Sequence, residues 1–350
     1  MPAPTIVDVE GRKLTLTNLD KVLYPAAGFT KGQVIDYYVR VAPVLLPHLA
    51  RRPLTMKRYP GGVDEEYFFE KNAPKHRPEW VETTPVWSDS NHRTVNYILA
   101  NELATLVWIA NLASLELHPS LSHAPNIDQP SMIVFDLDPG PPANIVQCAQ
   151  VGLWVRAIFD HFGLQSFPKT SGSKGMQIYV PLNTKTSYDE TKGFAHAIAR
   201  LLEQEHRDLV VSDMKKAVRT NKVFVDWSQN DEHKTTIGVY SLRARERPTV
   251  STPITWDEVE QALKKKDAER LVFEAPEVLQ RVEKIGDLFA PVLKLKQKLP
   301  QLAGLAAQEE THAASQPQDI QIAAQAASAR PRKHALSATP RKARSSGRKV

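Results

Sequence analysis

SMIVFDLDP, residues 131–139, is a run of β-branched and aromatic residues that reads as a strand, stopped by Pro139 and Gly140. Side chains alternate faces along a strand. Ile133, Phe135 and Leu137 therefore point one way, and Val134, Asp136 and Asp138 the other. The two carboxylates lie on one face, about 7 Å apart by strand rise, at a sheet edge or mouth. Neighbouring carboxylates repel unless a cation compensates, and a hard divalent ion such as Mg²⁺ or Mn²⁺ prefers oxygen ligands. The bland alternative for so short a motif is a strand end whose two acids are simply solvated.

A D-x-D at a strand end also occurs in phosphatases whose first aspartate is the nucleophile. Those usually continue with glycine and threonine or valine near the start of their domain. Here DLDPGPP continues with proline, and 135 residues precede it.

Working outward, the segment NKVFVDWSQN (221–230) is a second strand, with Lys222, Phe224 and Asp226 on one face and Val223 and Val225 on the other. An acid in such a run invites a metal or a salt bridge. PKTSGSKGMQIYVPL (168–182) sets a Ser-Gly-Ser-Lys-Gly turn before a strand. Gly172 and Gly175 allow backbone amides near an anion, and Ser171 and Lys174 add a hydroxyl and a charge. The Walker spacing is absent, and a plain hairpin loop is the alternative. YSLRARERP (240–248) carries Arg243 and Arg245 two apart; Arg243 can fork onto a phosphate or form a surface ion pair. LTMKRYPGG (54–62) and EYFFEKN (66–72) interleave Lys57, Arg58 and Lys71 with Phe68 and Phe69, a composition suited to base stacking with phosphate contact, or to core packing.

Between these segments, LANELATLVWIANLASLELH (99–118) repeats Leu99, Leu103, Leu106, Ala110 and Ala113 at helical spacing. SYDETKGFAHAIARLLEQEH (187–206) opens with a Ser187–Glu190 capping box and offers Phe194, Ala197, Ile198, Leu201 and Leu202 as one apolar stripe. TWDEVEQALKK repeats the device with Thr255 and Glu258. Residues 1–295 thus form one mixed α/β domain. Residues 296–350, rich in Ala, Gln and Ser and then in Arg and Lys, read as a disordered basic tail.

The net charge of +6 comes from that tail. Ser328–Val350 holds eight Lys/Arg and no acid; removing them from the chain's 45 leaves 37 basic against 39 acidic residues. Nucleic acid would therefore be gripped by local patches, with the tail adding salt-sensitive phosphate affinity. The single cysteine, Cys148, excludes a disulfide framework and fits a reducing cytoplasm. Neither a signal peptide nor a membrane span is visible.

In order, DLDP, KTSGSKG, VFVDWSQN and YSLRAR, with LTNLDKVLYP, RYPGGVDEEYFFEKN and LATLVWIANLASLELHP upstream, resemble the polymerase domain of bacterial end-joining DNA ligases. That domain is a branch of the archaeo-eukaryotic primase superfamily. The resemblance covers roughly residues 10–290. It implies an α+β primase-polymerase fold: mixed and antiparallel sheets with an RRM-like core flanked by helices.

It also implies roles. Asp136, Asp138 and Asp226 match the three metal-binding carboxylates. His118, Ser171, Lys174 and Arg243 match residues around the incoming triphosphate. Lys57 and Phe69 or Phe68 match the nucleotide and template-base platform. Arg219 and Gln229 match positions lining the active site, Arg219 towards DNA and Gln229 towards the nucleotide. Lys21 and Lys31 match a pair that captures the 5′-phosphate of a gap. Many relatives read S-G-G-K-G-L-H where this chain has Gln177, which cannot carry charge or shuttle a proton; Gln177 is kept as a nucleotide-site residue.

The implied reaction is attack of a primer 3′-hydroxyl on the α-phosphate of a (d)NTP, with two Mn²⁺ or Mg²⁺ ions about 3.5–4 Å apart. Mn²⁺ preference and ready use of ribonucleotides follow from the resemblance alone. Implied partners are gapped or 5′-phosphorylated DNA, Ku and an ATP-dependent DNA ligase, in a cytoplasmic, nucleoid-associated setting. No K-x-D-G ligase signature accompanies the domain. A non-catalytic DNA-end-binding module, with Gln177 marking decay, is the rival from another class.

Overall fold

The computed structural model describes residues 4–88 and 92–300; the greater part of the basic tail lies outside the described residues. Two five-stranded sheets carry the molecule. In the first, strands run in the order Phe68–Glu70, Leu54–Arg58, Arg93–Ile98, Thr83–Ser88, and Ser114–Pro119 pairs with Leu54–Arg58. In the second, the order is Phe167–Thr170, Met176–Pro181, Met132–Pro139, Val223–Asp226, Val210–Val211, antiparallel except for the last pair. The mixed α+β architecture with largely antiparallel sheets is the one implied by the sequence motifs.

Strand alternation holds along Met132–Pro139. Ile133, Phe135 and Leu137 are fully buried in a core shared with Met176, Ile178, Val180, Val223 and Val225. Helices Ile145–His161 and Tyr188–Glu205 cover this face. The Ser187–Glu190 and Thr255–Glu258 capping boxes form as read. The buried stripe of Tyr188–Glu205 includes Ala195 and Ala199, whereas Ala197 and Leu201 are only partly covered. The aspartate strand is the middle strand of its sheet, so the carboxylates sit inside the sheet and not at its edge.

The stretch 99–118 differs from its helical reading. The helix is only Leu103–Asn111; Ala113 adopts φ +57°, and Ser114–Pro119 continues as a strand. A long open edge on Leu54–Arg58 accepts five residues of pairing there. Local apolar spacing cannot anticipate an edge made by residues sixty positions away, so tertiary pairing overrides it. Leu115 and Leu117 then bury on one face, leaving Ser114, Glu116 and His118 together on the other.

At the other end, Gln297, just past the boundary read at 295, is buried. It donates from Nε2 to the Pro181 and Gln165 carbonyls, at 2.8 and 3.0 Å. Among the described residues no helix is long and apolar enough to cross a membrane.

Candidate active site

Cross-strand register assembles the first half of the site. Asp136 lies opposite Asp226 on one neighbour and opposite Gln177 on the other; Gln177 in turn lies opposite Lys169. Directly opposed residues share a face with Cβ atoms about 4.5–5.5 Å apart. A row Lys169–Gln177–Asp136–Asp226 therefore crosses four strands, with Asp138 one step along, beside Phe224.

Burial, then the charges of Asp138 and Asp226, push the Asp136 carboxyl up to about 7, against a Gln177 hydrogen bond and the Lys169 ammonium. Asp138 is raised by burial and by Asp226, and Arg219, Arg243 and Lys174 pull the other way. Two crowded, hard-oxygen donors that resist ionisation fit a divalent cation. Asp226 is differently engaged. Its Oδ1 accepts from the Ser228 amide and hydroxyl at 2.9 and 2.5 Å, and its Oδ2 from Gln229 Nε2 at 3.2 Å. Among the described residues no three acidic, histidine or cysteine side chains converge on one metal-sized point. The fit thus rests on Asp136 and Asp138, with Asp226 opposite Asp136 in register but engaged by Ser228 and Gln229.

Gln177 is 1% exposed. Its Oε1 accepts from Lys169 Nζ at 2.6 Å and its Nε2 donates to Thr236 Oγ1 at 3.0 Å. Lys169, fully buried, also donates to Ser251 Oγ at 2.6 Å. The glutamine is therefore part of a buried polar network under Asp136, and its lysine partner was not evident from the sequence.

The Ser171–Gly175 turn is a hairpin connection clamped to the carboxylate strand. A Cβ on Gly175 would sit 2.0 Å from the Leu137 carbonyl, and Gly172 holds φ +66° against Val250. Ser171 Oγ accepts from the Ser173 and Gly175 amides, both at 3.2 Å. Lys174 is exposed at the tip. Arg243 Nη1 donates to the Ser171 carbonyl at 2.6 Å, and Arg245 reaches the Ser173 hydroxyl.

The second half is a cluster of cations around one carboxylate. Lys57 and Glu116 are opposed on paired strands. Glu116 receives His118 Nε2 at 3.0 Å and the Ala244 amide at 3.1 Å, with Arg243 Nε at 3.3 Å and Lys57 Nζ at 4.0 Å. Burial alone would raise this carboxyl; the His118 hydrogen bond and the charges of Arg243, His118 and Lys57 bring it down to about 2. Lys57 Nζ also sits 3.9 Å over Tyr67, 5.1 Å over Tyr59 and 5.4 Å over Phe69. Phe69 is 56% exposed and meets the His118 ring edge-on at 6.1 Å; Phe68, also exposed, lies 5.0 Å from Arg58. Aromatic faces left open beside cations are platform-like.

Lys21 and Lys31 are brought together across a short turn, the Lys31 amide donating to the Lys21 carbonyl at 2.8 Å. Their ammonium groups bond to carbonyls of Pro60 and Thr17, at 2.5 and 2.6 Å. Burial, then Lys21 and Arg58, lower Lys31 to about 8. Arg58 thus joins this basic corner. Arg219 stacks its guanidinium 3.6 Å over Phe224, the neighbour of Asp138. Gln229 touches Asp226, as noted.

Glu116 and Lys169 are the residues that the sequence did not single out; Arg58, read there as part of the basic and aromatic patch, lies instead beside Lys21 and Lys31. A signal existed for Glu116: two positions before His118, it shares a face only if the segment is a strand.

The family model of the LigD primase-polymerase domain matches residues 30–289. The multifunctional non-homologous end joining protein LigD of Mycolicibacterium smegmatis is 44% identical over 282 residues, covering 80% of this chain and 36% of that protein. The bifunctional non-homologous end joining protein LigD of Bacillus subtilis is 34% identical, covering 78% and 43%. The chain thus spans well under half the length of these curated relatives. Among solved structures, the polymerase domain from Mycobacterium tuberculosis Ligase D in complex with DNA superposes with a TM-score of 0.75 at 41% identity, covering 81% of this chain and 99% of that one.

Proposed function

The chain belongs to the LigD primase-polymerase family, and on that premise we propose that it transfers nucleoside monophosphates from (d)NTPs to a primer 3′-hydroxyl under the direction of a template. The observation that carries the reading is the pairing of two opposite half-sites. A row of crowded carboxylates is linked through Arg243 to a cluster with a surplus of positive charge. Arg243 touches Glu116 and the Ser171 turn and acts on Asp138.

Asp136 and Asp138 would hold the divalent ions, two of Mn²⁺ or Mg²⁺, with Asp226 turning from Ser228 and Gln229 to complete the set. Bound there, such ions activate the hydroxyl and screen the leaving pyrophosphate. His118, Lys57, Arg243, Ser171 and Lys174 bind and neutralise the triphosphate, and Gln229 orients Asp226. Phe69 and Phe68 offer stacking surfaces to the base pair being formed. Gln177 steadies Asp136 from within the sheet instead of contacting phosphate.

Lys21, Lys31 and Arg58 receive the 5′-phosphate across a gap, and Arg219 contacts the strand passing Asp138. Gap or end filling in DNA repair follows, beside Ku and an ATP-dependent ligase, in the cytoplasm with the nucleoid. Membership of a primase-polymerase family speaks against the phosphatase alternative.

The test is labelled-nucleotide incorporation on a gapped duplex carrying a 5′-phosphate, with Mn²⁺. Template-directed extension is expected from the wild-type protein and not from Asp136→Ala. Phosphorylated-gap binding without incorporation by the wild type would favour the non-catalytic end-binding rival, and full extension by the variant would end the assignment.

A further inference from the structure

Glu116 is 2% exposed, and its carboxylate is the one group that Lys57, His118 and Arg243 share. We propose that Glu116 is a positioning residue: it arranges these three side chains into a single receptor for the nucleotide triphosphate, and it orients His118 through the Nε2–H. The inference rests on the polymerase reading above and deepens it.

The three groups come from three separate segments: the strand Leu54–Arg58, the strand Ser114–Pro119 and the segment after Tyr240. Nothing local fixes their mutual placement. Oε1 takes the Ala244 amide and faces Arg243 Nε; Oε2 takes His118 Nε2 and faces Lys57 Nζ. With both oxygens so engaged and the group buried, Glu116 is committed inside the protein and is poorly placed to meet substrate or metal itself.

Its charge also makes the cluster tenable. Lys57 and Arg243 crowd each other in a part-buried setting: burial lowers the Lys57 ammonium, Arg243 lowers it further, and Glu116 opposes both. Arg243 is held by its Nη1 hydrogen bond to the Ser171 carbonyl, and its Nε pairs with Glu116 by charge at 3.3 Å without a hydrogen bond, which ties the receptor to the Ser171–Gly175 turn. The carboxylate is strongly acidic and can only accept, so the hydrogen between it and His118 belongs to the imidazole Nε2. That bond fixes both the ring orientation and the tautomer.

Glu116→Gln tests this while preserving shape. For the full chain, Kd for a non-hydrolysable nucleoside triphosphate analogue and KM for its parent nucleotide should rise about tenfold or more, the scale of a lost charge-assisted bond. The affinity for gapped duplex without nucleotide, which does not involve this receptor, should change by less than about twofold on the same scale of reasoning. The loss should track phosphates: binding of the matching nucleoside monophosphate changes little, and Glu116→Asp recovers part of the triphosphate affinity. A merely structural defect would weaken both nucleotides alike, and that result, or wild-type triphosphate affinity in Glu116→Gln, overturns the proposal.

If the wild-type protein binds no triphosphate, the polymerase reading falls and this inference with it, which is a distinct outcome. Should Glu116→Gln not fold, ring ¹⁵N spectra of the wild-type protein decide. An Nε2-protonated His118 is expected, and an Nδ1-protonated one overturns the proposal.

Discussion

The carboxylate row and the cation cluster solve opposite electrostatic problems on two different sheets. Around Asp136 like charges are set side by side in a buried place, and the carboxyl is driven up to about 7 by burial, Asp138 and Asp226. Around Glu116 the carboxylate is also buried, yet three basic groups hold it near 2. On the proposed reading, a cation completes the first half-site. The second is internally balanced, with positive charge to spare for an anion. A buried charge is therefore informative only together with its partners.

The strongest way to break the contrast is catalytic. Asp136→Ala should lower gap-filling turnover by at least about 10²–10³-fold, the range for losing one preorganised electrostatic group, with an unchanged far-ultraviolet dichroism spectrum. Residual turnover near wild type would show that the row is not the metal site.

Stability separates the half-sites by sign. Glu116→Leu strands two cations and should destabilise the fold by about 3–5 kcal/mol, the cost of breaking a buried pair from one side; denaturant unfolding measures it. Asp136→Asn should do the reverse in metal-free protein at pH 8. A raised carboxyl stabilises the folded state below its ordinary value of 3.8, and that contribution disappears as pH rises through about 7. Metal-free wild-type Tm should consequently fall by a few °C across this window, and Asp136→Asn should show a flatter profile. Added Mn²⁺ should raise the wild-type Tm at pH 8 and leave the variant unmoved. A Tm independent of both pH and metal would remove the strain argued for the row.

A smaller effect concerns the basic corner. Lys31 is lowered to about 8 by burial, Lys21 and Arg58, so its positive charge fades above that pH. Preference for a 5′-phosphorylated over an unphosphorylated gap should decline between about pH 7 and 9, following the lysine titration. Titrations of labelled duplexes check this, and a flat preference would remove Lys31 from phosphate capture.

The smallest expected change is at Phe69, exposed beside Lys57 and His118. Phe69→Ala should leave folding stability within about 0.5 kcal/mol. It should weaken nucleotide binding by about 1–3 kcal/mol, the worth of a lost base–aromatic stack. Nucleotide KM and thermal unfolding measured together test the split.

Much of this was legible beforehand because it is periodic or local. Alternation in SMIVFDLDP put Asp136 and Asp138 on one face, and the capping residues Ser187 and Thr255 marked helix starts that the structure keeps. Apolar spacing in 99–118 misled, since the helix stops at Asn111 and the chain is captured by the Leu54–Arg58 edge. That single error also hid Glu116, which a helix would have turned away from His118 and which a strand sets beside it.

By itself, the sequence determined which residues can stand on one face of a strand and which ordered motifs the chain shares with its family. Backbone geometry and side-chain chemistry travel with the residues wherever they fold. Only the tertiary structure decided what each charged group faces. It placed Asp226 opposite Asp136 yet tied it to Ser228 and Gln229, buried Gln177 against Lys169, and gathered Lys57, His118 and Arg243 around Glu116. Those contacts depend on strand register and chain crossing between segments far apart in sequence, and electrostatic energy depends on distance in space, not along the chain.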